Sequence, residues 1–303
     1  MLIMEPLMMK KHRNGWTDRL QDTMNMDLQE LYYLLDLQPE IIEKLELISK
    51  KVDLRKIDLY LEQLMDIKTA PQSYEYLKTL FQEDKDNLKM LYCQLECARR
   101  VFVKYQEKNI PKTIYADTMK CFTRFLAECK KKNGRMYFDR GWWTYRQISM
   151  TIFRIGELEY QFMEHEGENA IGIHIPSDAD LSKEAVDHSL KQGGIFFQTH
   201  YRGYEYDKYT CDSWLMAPVL KRLLPENSNI LSFQKRFDII RENKEDKEYM
   251  EWLYQVPADT DYKDLPAVTN LQRKVKELLL NGGAVGSAYG IMYRLPLMAD
   301  FMQ

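Results

Sequence analysis

Four side chains in the second half of this chain have the chemistry for proton transfer or nucleophilic attack: His174, Glu157, Asp212 and Cys211. His174 lies in Ile171-Gly-Ile-His-Ile175, where strand alternation turns it to the Gly172 side, away from the three isoleucines. An imidazole titrates near neutrality and can take up or release a proton under ordinary conditions. Glu157 shares a face with Phe153 and Ile155 in a strand expected over 151–162, and partial burial there would raise its pKa. On a further strand, Asp212 and Trp214 alternate with Cys211 and Ser213. Asp212 is a candidate to orient His174, as a carboxylate orients a catalytic imidazole. Cys211 is a candidate nucleophile or thiol acid. Each has a plainer reading: a histidine bonded across the sheet, a Glu157 paired with Arg154 or Arg236, an Asp212 capping the turn at Trp214, and an inert core thiol.

The elements that must position these residues fall into two kinds. Residues 15–132 read as helical throughout. Asp27 caps a helix with Leu28, Leu31, Leu34 and Leu35 at helical spacing, and Pro39 suits the first turn of the next. The Lys130–Lys132 run followed by Asn133-Gly134 is a stop signal. The boundary is placed there, giving a helical domain over 1–133 and a mixed domain over 134–303. In the second part, the 151–162 strand and Ile171–Ile175 form a hairpin. A helix over 182–192 ends at Gly193-Gly194, followed by strands over Ile195–His200 and Thr210–Leu215. A short helix over 218–224, a strand over 230–240, helices over 245–254 and 270–280 and a closing strand over 288–295 complete an α+β chain. Pro176 ends the His174 strand, and the next helix opens at Ser182, so helix-end amides lie just beyond the imidazole. Strand ends facing helix N-termini are common ligand sites.

Composition narrows the function classes. With 43 Lys/Arg against 46 Asp/Glu, the chain lacks the basic excess of a nucleic-acid binder. A helix-turn-helix at Leu28–Leu47 would present the acidic Glu40, Glu43 and Glu46, so no nucleic-acid partner is expected. Five cysteines do not suggest a disulfide framework, and Cys93 and Cys97 lack a second pair at ligand spacing, so no metal is expected. The basic Lys10–Arg13 follows the apolar N-terminal residues, the reverse of a secretory signal, and no run of about 18 apolar residues occurs. The expected location is cytoplasmic, without membrane attachment. Gly282, Gly283, Gly286 and Gly290 fit no dinucleotide or Walker motif. Tyr201, Tyr204, Tyr206 and Tyr209 line a cleft or cover the sheet.

Five stretches, Gly141-Trp142-Trp143, Phe153–Glu159, Ile173–Asp178, Cys211–Leu215 and Ser228–Gln234 with Arg236-Phe237, together resemble a family of bacterial acyltransferases. The second half is similar to their GNAT-like C-terminal domain, and the first half to the helical domain that accompanies it. The resemblance implies a sheet in which one strand splays from its neighbour and the pantetheine arm of acyl-CoA lies in the gap. The splayed strand would be Ile171–Ile175 and its neighbour Ile195–His200. Ile175, Pro176, Ser177 and Ser182 would contact the co-substrate, acetyl-CoA or another acyl-CoA. The implied activity is N-acylation of a small-molecule or peptide amine, with His174 or Glu157 as base and a tyrosine of the 201–209 cluster as a possible acid. One departure stands out. The family's Gln/Arg-x-x-Gly-x-Gly/Ala loop is replaced by Ser177-Asp-Ala-Asp-Leu-Ser182, whose carboxylates would oppose a pyrophosphate. The alternative is a non-catalytic ligand-binding or interaction protein that keeps the fold.

Overall fold

Local signals set the helical half. In the computed structural model, which describes residues 26–294, Asp27 and Glu30 form a reciprocal capping box at the start of α1 (Leu28–Leu34). Pro39 opens α2 (Pro39–Ser49) as its fixed φ favours. Helices α3 (Asp58–Leu64), α4 (Ala70–Leu80), α5 (Leu88–Glu107), α6 (Lys112–Met119) and α7 (Cys121–Asn133) follow. α5 buries Leu91, Leu95, Ala98, Val101 and Tyr105 and forms the axis of the bundle. Gly134 ends α7 in the left-handed conformation, its N–H donating to the Lys130 carbonyl. Helix α8 (Gly141–Ile148) packs back on α5: Gln94 donates to the Gly141 carbonyl at 2.8 Å. Residues 15–25, the Lys10–Arg13 stretch and the Leu295 end of the last strand lie outside the described residues.

The sheet has six strands in the order β1-β2-β3-β4-β6-β5. These are β1 (Ile152–Ile155), β2 (Leu158–His165), β3 (Glu168–His174), β4 (Lys208–Ser213), β5 (Asp238–Asn243) and β6 (Ser287–Tyr293). All neighbours run antiparallel except β3 and β4. Together with the helical half, this is an α+β architecture. The edge strand β1 is sealed by α6, where Thr118 Oγ accepts the Arg154 N–H at 3.0 Å. One apolar core runs unbroken from Leu31 through Phe153 and Tyr160 to Ala288, so the two halves share it. A second, smaller core lies beneath Trp214, Met250 and Val275.

The structure corrects four expectations. The strand over 151–162 is two strands, because Gly156 takes a left-handed turn (φ +63°) and puts Glu157 in the bend. Gly193-Gly194 does not stop a helix: α9 runs over Lys183–His200, and no strand forms at Ile195–His200. Gly193 sits against the Tyr160 ring, where a Cβ would come within 2.8 Å of Cζ. The glycine answers to close helix–sheet packing and not to termination. At Trp214 the expected strand 210–215 becomes a 3-10 turn after Ser213. The expected strand 230–240 begins as helix α11 (Asn229–Gln234), the element after α10 (Leu220–Leu223), so Ser232, Gln234 and Arg236 form no polar strand face. Gln234 is buried and donates to the Leu215 and Ala217 carbonyls. Helices α12 (Glu248–Tyr254) and α13 (Asn270–Leu280) lie where helices were expected.

Candidate active site

Strands β3 and β4 pair only at Ile171–Tyr209 and Gly172–Thr210. Beyond those positions each strand stays bonded to its outer neighbour: β3 to β2 as far as His174–Glu159, β4 to β6 as far as Ser213–Ala288. The two inner strands therefore part, and the backbone from Ile173 and from Cys211 onward has no ladder partner across the gap. A splay at Ile171–Ile175 was expected, but its other side is β4, since Ile195–His200 is helix.

A cleft of about 240 Å³ opens at this gap, at the junction of the two halves. The ends of β3 and β4 form its floor, from Ile173–Ser177 and Asp212–Leu215. Arg124, Phe125 and Glu128 of α7, Trp142 and Trp143 of α8, and Glu248, Glu251 and Trp252 of α12 enclose it. Strand periodicity turns His174, Glu159 and Asp212 to this face. Tyr160, Ile173 and Cys211 turn to the α9 face.

His174 sits at the end of β3 with its ring edge-on to Trp143, the centroids 5.1 Å apart. Its Nε2 lies 2.8 Å from Gln161 Oε1. Desolvation lowers its pKa below the ordinary histidine value; the charge of Glu159 opposes that and Arg146 adds to it. Glu159, directly opposite on β2, is taken by Arg124, whose Nη2 donates to it at 2.6 Å. Arg124 also lies 3.7 Å from Glu128 and 3.9 Å from Asp178. Burial works against the guanidinium charge, but its neighbours, Glu159 foremost and Asp178 among them, outweigh it.

Asp212 faces the cleft across the gap from His174 and is not its hydrogen-bond partner; Gln161 is. Its nearest cation is Arg241, 3.7 Å away, and burial raises its pKa despite that neighbour. Glu248 shares the wall: desolvation raises its pKa although Trp252 Nε1 donates to it at 3.2 Å. Cys211 lies in the core behind the sheet, its thiol pushed well up by burial, and does not line the cleft. Glu157, in the β1–β2 bend, also lies off the cleft lining. It accepts the Asp180 N–H at 2.9 Å and sits 3.6 Å from Arg154.

The turn after β3 is held from both sides. Ile175, Pro176 and Ser177 line the cleft, and Ser177 donates to Glu128. Asp178 accepts from Arg154 Nη1 at 2.8 Å. Burial disfavours its charge, yet Arg154 and Arg124 hold its pKa below the usual carboxylate range. Asp180 takes the N–H and hydroxyl of Ser182, the residue before α9. The two carboxylates of the atypical loop are thus engaged by the protein, Asp178 as an ion pair. The tyrosines cover the sheet: Tyr204 donates to the Met163 and Ala170 carbonyls, and Tyr206 contacts Tyr209. Among the described residues no group of three His, Cys, Asp or Glu is placed to hold a metal ion, and no helix is long and apolar enough to cross a membrane.

Sequence reading missed Arg124, Gln161, Glu159 and Glu248. Trp143, named from the sequence only for the family resemblance, backs the imidazole.

A helical domain set on a mixed sheet whose parallel pair splays at the domain junction defines a GNAT-like acyltransferase architecture. Residues 26–150 match the N-acyltransferase N-terminal domain, and residues 152–292 match the GNAT-like C-terminal domain. The chain belongs to this two-domain family of GNAT-like acyltransferases. No curated protein matches it by sequence. Among solved structures it is similar to an acyltransferase in complex with decanoyl-CoA and teicoplanin (TM-score 0.73, 18% identity, 94% of this chain and 96% of that one). A mutant acyltransferase in complex with octanoyl-CoA gives a TM-score of 0.74 at 17% identity, with the same coverage. A further acyltransferase in complex with decanoyl-CoA gives 0.64 at 18% identity, covering 88% of this chain and 99% of that one. At these identities the likeness is one of fold.

Proposed function

We propose that this protein transfers an acyl group from acyl-CoA to an amine held in the junction cleft. The observation that carries this is the parting of β3 from β4 after Gly172–Thr210. It leaves a slot with unpaired backbone amides and carbonyls, suited to the two amides of a pantetheine arm. The chain's own residues fit such a co-substrate. Asp178 is neutralised by Arg154, and the 18-residue α9 turns its N-terminus to the end of the β3 turn. Ile175, Pro176, Ser177 and Ser182 would border the arm. Solved relatives in complex with acyl-CoA support the same reading.

His174 is the base. Its depressed pKa keeps it uncharged near neutral pH and able to accept a proton. The acceptor nitrogen bonds to the acyl carbon and the C–S bond breaks. A cationic amine first releases one proton to solvent; the proton lost by the neutral nitrogen on attack passes through the imidazole to the departing thiolate, so one proton is released overall. Trp142, Trp143, Trp214 and Trp252, with Asp212 and Glu248, suit an acceptor that joins a cationic amine to a large ring-bearing body. A relative crystallised with the glycopeptide teicoplanin fits this picture, with the acceptor a small molecule or peptide.

The test is thiol release from acetyl-, octanoyl- and decanoyl-CoA with a panel of aromatic and glycopeptide amines, beside thermal shift with each CoA ester. Acceptor-dependent thiol release supports transfer. No shift and no release across the panel would move the protein to the ligand-binding alternative.

A further inference from the structure

His174 has two neighbours on β2 that face it from the same side of the sheet: Glu159 directly opposite, and Gln161 one position along that face. A carboxylate so placed would ordinarily take the imidazole N–H and draw the ring toward its charged form. Here Glu159 is committed to Arg124 at 2.6 Å, and the neutral amide oxygen of Gln161 takes Nε2 at 2.8 Å. Gly172 lies on the same face and leaves room for Met163 beside this pair. It stands opposite Gln161, and a Cβ at that position would come within 2.8 Å of Met163 Cγ and 3.8 Å of Gln161 Cβ. An amide oxygen only accepts, so Nε2 carries the proton in this pair. Nδ1 is left with its lone pair, and among the described residues it has no hydrogen-bond partner. Trp143 stands edge-on to the ring from α8, and Arg146 of the same helix adds positive charge. From β4, Asp212 faces the ring across the gap.

We propose that Gln161 is the positioning residue of this site, fixing His174 in the Nε2–H tautomer so that Nδ1 is the proton-accepting atom, while Arg124 withholds Glu159 from the ring. This rests on the acyl-transfer reading for its purpose but not for its test. A glutamine is chosen over a carboxylate because the base must stay neutral. A carboxylate partner would raise the imidazole pKa and enlarge its protonated fraction, which cannot accept a proton, at working pH. Arg124 and Gln161 therefore act as a pair, one removing the charged partner and the other supplying an uncharged one.

The experiment is imidazole nitrogen NMR of the full chain with 15N-histidine, the His174 signals assigned by their loss in His174→Ala. The expected result is a neutral ring with protonated Nε2 and bare Nδ1 at pH 7. In the near-isosteric Gln161→Glu the ring should titrate about one pH unit or more higher, as for an opposite charge at hydrogen-bond distance. In parallel, the acid limb of kcat should move up by the same amount, with KM for acyl-CoA within about twofold. Gln161→Asn, which shortens the reach but keeps the amide, should lower kcat without moving that limb. A wild-type ring protonated at Nδ1, or an unmoved titration in folded Gln161→Glu, would overturn the proposal. The NMR arm stands whether or not any acceptor is found, so absence of turnover in the wild type would count against the transfer reading alone.

Discussion

The two strands that part at the cleft present their polar side chains in opposite settings. On the β3 side His174, Glu159 and Asp178 are all bound by protein partners: Gln161, Arg124 and Arg154. On the β4 side Asp212 is 54% exposed with Arg241 at 3.7 Å, and Glu248 accepts from the Trp252 ring N–H and the Trp214 backbone N–H. Burial pulls His174 toward its neutral form, and it likewise pulls Asp212 and Glu248 toward theirs. The lesson is a division of labour. On the reading proposed above, the β3 wall is paired within the protein around a proton acceptor, leaving only Arg124 Nε and Glu128 Oε2 buried without a hydrogen-bond partner among its described residues, and the β4 wall presents the more exposed carboxylate, Asp212, to something that arrives.

The largest test of the β3 wall is Arg124→Met. It removes the cation of Glu159, which is 3% exposed, and loosens Glu128 and Asp178 together. Leaving a buried carboxylate without its partner costs about 3–5 kcal/mol, so the urea midpoint should fall steeply. A midpoint close to wild type would mean that the wall is not held by this ion pair. Next in size is His174→Ala, expected to lower kcat by about 10²-fold or more with the fold retained. Asp212→Asn should differ in kind, raising KM for a cationic acceptor a few-fold and changing kcat less. Equal losses of kcat in the two variants would erase the distinction between the walls.

What could be read from the sequence follows the range of the interactions. The helical half was legible because its signals are local: Asp27 with Glu30, Pro39, and Asn133-Gly134. The strand-turn-helix from Ile171 to Ser182 was legible for the same reason. Gly193 misled because its cause, the Tyr160 ring, is 33 residues away in sequence and no local pattern carries it. Glu157 was misplaced because Gly156 permits a bend that alternation alone passes through. The partner of His174 and the partner of Glu159 beside it were hidden more deeply. Arg124 belongs to the helical half and Gln161 to the next strand, and only the sheet register and the domain junction bring them together. Asp212 was a candidate to orient His174, and it lies across a gap from the ring instead, because the splay is a property of pairing and not of composition.

A smaller effect separates the walls by pH. Protonation of His174 is disfavoured in the folded state, so its folded pKa lies below the ordinary 6.5 of the unfolded chain. The unfolded chain then binds more protons as pH falls below that value, and stability declines over the interval down to the folded pKa. Asp212 has the reverse sign: its raised pKa favours the folded state at low pH, and that contribution is lost as pH rises through the folded value. Melting temperature against pH should thus lose part of its slope below about 6.5 in His174→Asn and keep it in Asp212→Asn. An unchanged slope in His174→Asn would mean that the imidazole is as well solvated as in the unfolded chain.

The smallest expected effect comes from one residue before Asp212. Cys211 is on the same strand, but its side chain turns to the α9 face, 2% exposed, with its thiol pushed up by burial. A thiol in that setting is neither ionised at neutral pH nor reachable by an acyl donor in the cleft. Cys211→Ala should cost about 1 kcal/mol of stability through lost packing and leave kcat and KM within twofold of wild type. Loss of turnover out of proportion to the stability change would place a reacting group behind the sheet. The cleft face of β4 would then no longer be the only working face of that strand, and the contrast between the two walls would have to be redrawn around a covalent route through Cys211.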